Sequence, residues 1–326
     1  MSTRTKAPTW FAPVFVLIWS AGTLLFDGIV CTAAVRQIAA SSYSRAPGTI
    51  LESKVSRHSG RKGSIYSAGI SYRYSVAGVE RTSKRWRYGA WSTSSGWAKS
   101  EAARFPVGSG VDVHYNPRDP ADAVLVTGLQ GQDGVLMLFL APFNAMMVGG
   151  WAVFLRPRSP MGARVWEAGG VTRVRVMGLA SPLIVGLAAL GLACCVGVFI
   201  VAACFIGALP PPAVPLGIIG LAAAAGLAAG LGRSLVLASG RNDLVIDPVA
   251  RVLTLPARFE KSGERAVPFS AIKSVSNLDV PLKDRTVAGR VEMSIDGRSA
   301  AVRLAQQSDR TQAEALAAWL REQLKS

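Results

Sequence analysis

The sequence is poor in the residues from which disulfide frameworks and zinc sites are built. It contains 4 cysteines and 2 histidines among 326 residues. Every cysteine falls in a long apolar run, and His58 and His114 belong to different elements with no cysteine beside them. Neither a disulfide-stabilised secreted domain nor a zinc site is therefore predicted, and no cofactor is implied.

Acidic residues are also scarce, with 20 Asp and Glu against 36 Lys and Arg and a formal net charge of +16. The basic excess is spread along the chain and is not concentrated in one groove. A nucleic-acid partner is therefore not predicted. Attraction to anionic lipid headgroups is the partner chemistry that a distributed excess of Lys and Arg favours in a membrane protein.

Charged residues are almost absent from four apolar runs, and 50% of the chain is hydrophobic. Because about 20 apolar residues cross a bilayer as a helix, we predict membrane helices at 10–35, 134–155, 179–206 and 214–232. The basic tail at 1–9 resembles the start of a secretory signal. The apolar run that follows is too long for a signal, so we predict a retained anchor.

Arginine is distributed unevenly between the short connections. The segment 156–178 carries Arg156, Arg158, Arg164, Arg173 and Arg175, whereas the segment 207–213 carries no charge. The positive-inside rule then puts both termini and segment 156–178 in the cytoplasm, and residues 36–133 outside the plasma (inner) membrane of a bacterium. The same five arginines are candidates for contact with anionic headgroups.

Asp27 is the one ionisable residue inside the predicted spans. A carboxylate at membrane depth suggests a proton relay or an ion partner. The alternative is structural, because Asp27 lies in the outer part of its helix, where Gly28 and local water would let it reach the interface. No other span supplies a second charged residue, which argues against a coupled transporter.

Residues 36–133 predict a small, barrel-like β-domain. Apolar and polar residues alternate over 48–55, 65–79 and 111–117, and Ala77-Gly78 fits a hairpin turn. The polar stretch "VHYNPRDPADAVL" at 113–125 resembles a catalytic loop, but its Asn-Pro pair ends a strand and begins a turn. We therefore interpret it as a strand end, with His114 kept as a candidate functional residue.

Three segments in this region carry a family resemblance. They read "GTILESKV", "ISYRYSVAGVERTSKRW" and "FPVGSGVDVHYNPRDPADAVLVTG", directly after a membrane helix. Residues 48–128 resemble the bacterial membrane family called domain of unknown function 3592. The resemblance implies a small β-domain anchored by flanking helices, and it brings no catalytic residue with it.

The segment "KRWRYGAWSTSSGW" at 84–97 interleaves basic and aromatic residues. Trp86 and Trp91 are candidates for contact with a glycan, an anionic polymer or a lipid headgroup, since aromatic faces and cations together suit such ligands. The alternative is that the tryptophans pack on their own domain or rest at the membrane interface. Stacking on single-stranded nucleic acid would need a cytoplasmic location.

Residues 233–326 predict a second, β-rich module. Strands flank an Asp-Pro turn at 247–248 and an Asp-Gly turn at 296–297, and a helix with Ser308 as N-cap follows to residue 324. The pattern resembles a bacterial pleckstrin-homology-like (PH-like) domain, which implies a docking platform. Its exposed cations, which include Lys273, Lys283 and Arg285, form either a headgroup-binding rim or an ordinary solvated face.

The third and fourth spans are rich in Gly and Ala, as in "GLAAAAGLAAGLG", and predict close packing with a helix of this chain or of a second copy. No nucleophile, carboxylate pair or nucleotide loop of an enzyme is present. The expected function is a non-enzymatic envelope scaffold or sensor with envelope proteins as partners. The alternatives are a small transporter or accessory subunit using Asp27, and an envelope hydrolase.

Overall fold

A computed structural model describes residues 10–60, 63–89, 95–156, 159–176, 181–206, 208–257, 265–281, 287–298, 300–307 and 309–325. The chain divides into two compact units. One contains Ala12–Trp151 and Gly186–Ala228, and the other contains Met1–Phe11, Ala152–Val185 and Ala229–Ser326. Each unit is described by itself below.

The helices in the described residues are α1 (Phe11–Ala39), α2 (Ser95–Ala103), α3 (Gly131–Phe154), α4 (Pro182–Cys204), α5 (Ala213–Ala238) and α6 (Arg310–Gln323). The strands are β1 (Ser44–Gly60), β2 (Gly63–Val76), β3 (Val79–Ser83), β4 (Gly110–Asn116), β5 (Asp119–Val124), β6 (Ala163–Ala168), β7 (Val171–Val176), β8 (Leu244–Asp247), β9 (Val252–Thr254), β10 (Ala266–Pro268), β11 (Ile272–Pro281), β12 (Val287–Ile295) and β13 (Val302–Gln307).

Helices α1, α3, α4 and α5 are long and apolar enough to span a membrane. The four predicted spans are therefore confirmed as helices of spanning length. Helix α1 continues four residues past the predicted end at 35, so that Arg36 and Gln37 are helical. Leu138 of α3, Cys194 of α4 and Ala222 of α5 share a buried cluster, which packs these three helices together.

The glycines of α4 and α5 lie where the sequence predicted close packing. A Cβ atom on Gly226 would meet the carbonyl oxygen of Gly186 at 2.9 Å. A Cβ atom on Gly197 would meet a side-chain carbon of Ile218 at 2.4 Å. These two glycines are thus used within this chain, between α4 and α5.

Strands β1 to β5 form one antiparallel sheet in the order β3-β2-β1-β4-β5. Ala77 and Gly78 make the predicted β2–β3 turn, and both adopt positive φ (51° and 81°), as a tight hairpin of this type requires. Strand β4 ends at Asn116 and pairs with β5, so the stretch 113–125 is a strand, a turn and a returning strand. We call this sheet and α2 the β-domain.

Tyr72 lies at the centre of the β-domain with its side chain fully buried. Its hydroxyl is 2.9 Å from the carbonyl oxygen of Arg85, which follows β3, and 2.8 Å from that of Ala123, near the end of β5. The hydroxyl donates its hydrogen to these carbonyl oxygens. The backbone amides of Leu125 and Val126 both donate to the carbonyl oxygen of Trp86. These contacts join the two edges of the five-stranded sheet.

Helix α2 was not predicted, because "SGWAKSEAA" lacks a clear apolar stripe. It packs against β1 and β2, and the Ser53 hydroxyl donates to the carbonyl oxygen of Ala102 at 2.9 Å. Helix α2 therefore covers one face of the β1–β2 hairpin.

The Arg-rich segment 156–178 is not the simple loop that we predicted. Its residues 163–176 form the hairpin β6–β7, and β7 pairs with β8, giving a five-stranded sheet in the order β10-β9-β8-β7-β6. The alternation in "ARVWEAGGVTRVRV" indicates the hairpin, but the count of charges drew the interpretation towards a loop. The C-terminal domain therefore begins near Ala163. In the sequence, α4 and α5 lie between its paired strands β7 and β8.

A second sheet, β11-β12-β13, completes the C-terminal domain together with α6. Residues of both sheets and of α6 share one apolar core, which includes Leu244, Leu253, Met293 and Leu316. Helix α6 begins one residue later than predicted. Its N-cap is Asp309, whose carboxylate accepts from the backbone amide of Thr311, while Ser308 lies outside the described residues.

Candidate functional site

The candidate functional site is the polar junction between the β-domain and the ends of α1 and α3. Gln37 comes from the last turns of α1 and is fully buried. Asp133 comes from the first turn of α3 and is 5% exposed. Arg87 comes from the segment that follows β3 and is 3% exposed. We call these three residues the junction triad.

Arg87 contacts the first turn of α3 with both ends of its guanidinium group. Its Nη2 donates to Oδ1 of Asp133 at 2.5 Å, and its Nη1 donates to Oε1 of Gln132 at 3.2 Å. The other carboxylate oxygen of Asp133 accepts from the backbone amide of Gln130 at 2.8 Å. Asp133 thus caps the helix and neutralises a buried cation with the same side chain.

Gln37 joins α1 to two segments of the chain beside the β-domain, one at Tyr88 and one at Val126. Its Nε2 donates to the carbonyl oxygen of Val126 at 2.7 Å, and its Oε1 accepts from the backbone amide of Tyr88 at 2.9 Å. Its own carbonyl oxygen accepts from the amide of Gly128 at 2.9 Å. A buried side-chain amide is satisfied here only because both segments are held against the helix.

A second polar cluster adjoins the triad through Tyr88. The Tyr88 hydroxyl donates to Oδ1 of Asp122 at 2.7 Å, and Nη1 of Arg85 donates to the same oxygen at 2.6 Å. Tyr43 lies 3.3 Å from Oδ2 of Asp122. Burial, followed by the contacts with Tyr43 and Asp122, raises the pKa of Tyr88 well above its usual range, so Tyr88 is a neutral donor.

The hydrogen bonds of the junction connect α1, α3 and the β-domain to one another. Each buried donor and acceptor of the triad named above has a partner at 2.5–3.2 Å. In the ranges that the structure describes, no group of three or more His, Cys, Asp or Glu side chains could hold a metal ion. The arrangement connects three chain segments and offers no nucleophile with an adjacent base.

The predicted aromatic candidates divide between the core and the undescribed part of the chain. Trp86 is 6% exposed and packs in the β-domain core against Phe105, with ring centroids 6.3 Å apart. Trp86 is therefore a core residue and not a surface for ligands. Trp91 lies outside the described residues.

His114 lies in β4 opposite Arg45 of β1 and Val124 of β5. Its Nδ1 is buried without a hydrogen-bond partner among the described residues. Burial, and then the positive charge of Arg45, lowers the pKa of His114 below 6.5. It is far in sequence from the triad, and the structure supplies it with no catalytic partner among the described residues.

Asp27 has an uncharged partner, Asn144, in another of the four apolar helices. Asn144 of α3 donates through Nδ2 to Oδ1 of Asp27 at 3.0 Å. The same pair of helices is joined by Trp19 stacked on Phe143, with centroids 5.6 Å apart. The contact between Asp27 and Asn144 therefore belongs to a helix interface.

Arg175 makes the second junction, between the C-terminal domain and the end of α5. Its Nε and Nη2 donate to the two carboxylate oxygens of Asp243 at 2.6 and 2.7 Å. Nη2 also donates to the carbonyl oxygen of Leu237, in the last turn of α5, at 2.6 Å. The hydrogen bonds that Arg175 donates to Asp243 raise the pKa of Arg175 above its usual value.

The other predicted headgroup contacts that the structure describes do not form one cluster. Arg164 is exposed on β6 and lies opposite Arg175, and Arg173 is half-buried on β7. Lys273 pairs with Asp296 at 2.6 Å. Arg156 lies just after α3, and Arg158, Lys283 and Arg285 lie outside the described residues.

Sequence reasoning missed the whole junction triad. Arg87 was placed only within a basic and aromatic segment, and no role was assigned to Asp133. A usable signal existed, because Asp133 is an acid in the first turn of a membrane helix, where it caps the backbone. Gln37 gave no signal, since an uncharged residue at the end of a span is ordinary.

Comparisons with known proteins bear on the β-domain alone. No curated protein and no solved structure matches the chain. Residues 46–130, which include Arg87 and all five strands of the β-domain from Ala46 onward, match one family model. That model is described as "Domain of unknown function (DUF3592)", and the match confirms the resemblance inferred from the sequence of this region.

Proposed function

We propose that this chain is a non-enzymatic membrane scaffold or sensor that couples an extracytoplasmic β-domain to a cytoplasmic docking domain. The observation that carries the proposal is the junction triad. Arg87 and Gln37 fix the β-domain to the ends of two spanning helices through buried, fully partnered groups. A domain held in this way transmits a displacement to its helices, whereas a flexible linker would absorb it.

The architecture proposed for the two soluble parts is supported by their contacts. The β-domain is barrel-like in our proposal, because Tyr72 and the carbonyl oxygen of Trp86 join the segments after its edge strands. The C-terminal domain is PH-like in our proposal, because two antiparallel sheets and one terminal helix share a core. Its arginines near the membrane helices suit the cytoplasmic side and anionic headgroups.

Hydrogen exchange on the full-length protein in lipid nanodiscs tests the coupling. Arg87→Lys keeps the charge but loses the forked contact with Asp133 and Gln132. We expect faster amide exchange at the junction and a changed rate in β7 and β8 of the C-terminal domain. Arg85→Lys is the matched control, since Arg85 belongs to the same motif but is half-exposed in its pair with Asp122.

Each of the two variants has an outcome that would contradict the proposed coupling. If Arg87→Lys changes exchange only within the β-domain, coupling between the two soluble parts is refuted. If Arg85→Lys changes the C-terminal domain to the same extent, the effect does not depend on the triad. Crosslinking in native membranes then identifies the envelope partner of the wild-type protein.

The alternative function, ion or proton transport, is supported by one contact, the hydrogen bond between Asp27 and Asn144 at 3.0 Å. A carboxylate at membrane depth is a candidate transport group. Asp27→Asn retains the shape and one acceptor but removes the charge. Unchanged proton or ion flux in reconstituted vesicles would exclude transport through Asp27, and loss of flux would favour it over the scaffold.

A further inference from the structure

An open groove of about 680 Å³ runs along one face of α1 and ends beneath the β-domain. Its wall is formed mainly by Leu24, Leu25, Gly28 and Ile29, and Arg36 and Tyr88 lie at its upper end. Leu25 and Ile29 are 65% and 46% exposed. The groove is thus apolar along its length and polar at one end.

The length of the groove corresponds to one leaflet of a bilayer. Leu24 and Arg36 are twelve residues apart in a helix, which is about 18 Å at 1.5 Å per residue. Half of the hydrocarbon core is about 15 Å. Because the apolar run of α1 ends at Val35, Arg36 lies at headgroup level and Leu24 lies near the bilayer centre.

Arg36 is exposed, and its side chain makes no hydrogen bond or ion pair with any residue that the structure describes. A guanidinium group in this position is available for a phosphate, which it binds in a forked geometry. Gly28 opens the groove below it, since a Cβ atom there would meet nothing within 4 Å. An unpaired cation above an apolar channel is complementary to a phospholipid.

We infer that this groove binds one phospholipid of the leaflet on the β-domain side, with its phosphate on Arg36 and an acyl chain along Leu25, Gly28 and Ile29. A second copy of α1 is a poorer occupant. Two copies insert in the same orientation, so a twofold contact through this face would bring their Arg36 side chains together. The lipid site stands independently of the coupling role proposed above.

Native mass spectrometry of the full-length protein tests the site with two probes, phosphatidylglycerol and diacylglycerol, which lacks the phosphate. Arg36→Gln should weaken phosphatidylglycerol binding about fivefold and leave diacylglycerol binding unchanged, since one cation near a headgroup contributes on the order of a fivefold change in affinity. Gly28→Leu should reduce binding of both probes, because the new side chain occupies the channel.

Each variant has a matched control. Arg57→Gln removes the same charge from β1, thirteen residues beyond Ser44 and about 40 Å along the strand. Gly22→Leu adds the same side chain to α1, also with nothing within 4 Å of its Cβ position, but outside the groove. Both controls should bind as the wild type does.

Wild-type binding of phosphatidylglycerol by Arg36→Gln, or of both probes by Gly28→Leu, would overturn the inference. A separate experiment addresses the second occupant. In a Cys31→Ser background, Thr32→Cys should give little intermolecular disulfide in native membranes. A rapid, near-complete dimer would assign the groove to a second copy of the chain and not to lipid.

Discussion

The β-domain and the C-terminal domain each contact the end of a long apolar helix through an arginine that is paired with an aspartate, but at opposite helix ends. In the β-domain the aspartate, Asp133, belongs to the N-terminal turn of α3, and the arginine comes from the domain. In the C-terminal domain both partners, Arg175 of β7 and Asp243, come from the domain, and Arg175 also donates to a carbonyl oxygen in the last turn of α5. Each charge has the sign that the helix dipole favours.

The two pairs differ in their access to solvent. The side chains of Arg87 and Asp133 are 2% and 6% exposed, whereas Arg175 is 28% exposed and only Asp243 is buried. A fully buried pair contributes little net stability, but removing one partner is costly because the remaining charge is buried without a counterion. The comparison indicates that the first junction is a rigid connection and the second is one that tolerates change.

Asp133→Asn should have the largest effect. Arg87 would remain buried without a counterion, which costs about 3–5 kcal/mol. We expect a large fall in the midpoint of thermal unfolding of the full-length protein in detergent. The double variant Arg87→Met with Asp133→Leu removes both charges and should recover much of the loss. A wild-type midpoint for Asp133→Asn would contradict the difference drawn between the two junctions.

Asp243→Asn should have a smaller effect. Arg175 retains its hydrogen bond to the carbonyl oxygen of Leu237 and can reach solvent, so we expect a loss of about 1–3 kcal/mol. Amide exchange in β8 and β9 measures it. A loss equal to that of Asp133→Asn would show that exposure of the arginine does not distinguish the two pairs.

Tyr72→Phe tests how each domain is closed. The edges of the β-domain are joined by the buried Tyr72 hydroxyl and by backbone hydrogen bonds to Trp86, whereas the C-terminal domain is held by an extended apolar core. We expect a loss of about 1 kcal/mol, from the one hydrogen bond that the hydroxyl can donate to the carbonyl oxygens of Arg85 and Ala123, measured by chemical denaturation. Tyr66→Phe is the control, since no hydrogen bond of the Tyr66 hydroxyl is present among the described residues.

Lowering the pH should reduce the stability of the β-domain through a histidine, a residue type that the C-terminal domain lacks, and this is the smallest effect that we expect. Both histidines of the chain lie in the β-domain. Burial lowers the folded-state pKa of His114 below its ordinary value of 6.5, so the unfolded state binds the proton more readily. Stability from this group is therefore present above pH 6.5 and is lost as the pH falls through the folded-state pKa.

Thermal unfolding between pH 7 and pH 5 measures this dependence. His114→Gln should flatten the part of the profile that belongs to the β-domain, and His58→Gln should leave it unchanged. A pH profile that His114→Gln does not alter would assign the acid sensitivity to carboxylates instead.

Patterns of one residue type predicted the helices and turns well. The four apolar runs became helices of spanning length, and Ala77-Gly78 and the Asp296-Gly297 pair became turns. These features depend on local chemistry, which the sequence displays directly. The hairpin β6–β7 was missed because its arginines were interpreted as loop charges, and because its partner strand β8 follows only after two apolar helices in the chain.

The junction triad could not be predicted for a related reason. Gln37, Arg87 and Asp133 are separated by about fifty residues each, and no single motif contains any two of them. Their meeting depends on the sheet bringing the ends of α1, β3 and β5 together. Long-range polar contacts of this kind are properties of the assembled fold, so sequence periodicity does not reveal them.

The insertion of α4 and α5 within the C-terminal sheet imposes an order on synthesis. Strand β7 leaves the ribosome roughly 70 residues before its partner β8. At about 5–20 residues per second, β6 and β7 wait about 3–14 s for that partner. During this time both intervening apolar helices are synthesised, so the whole of α4 and α5 leaves the ribosome before the domain can close.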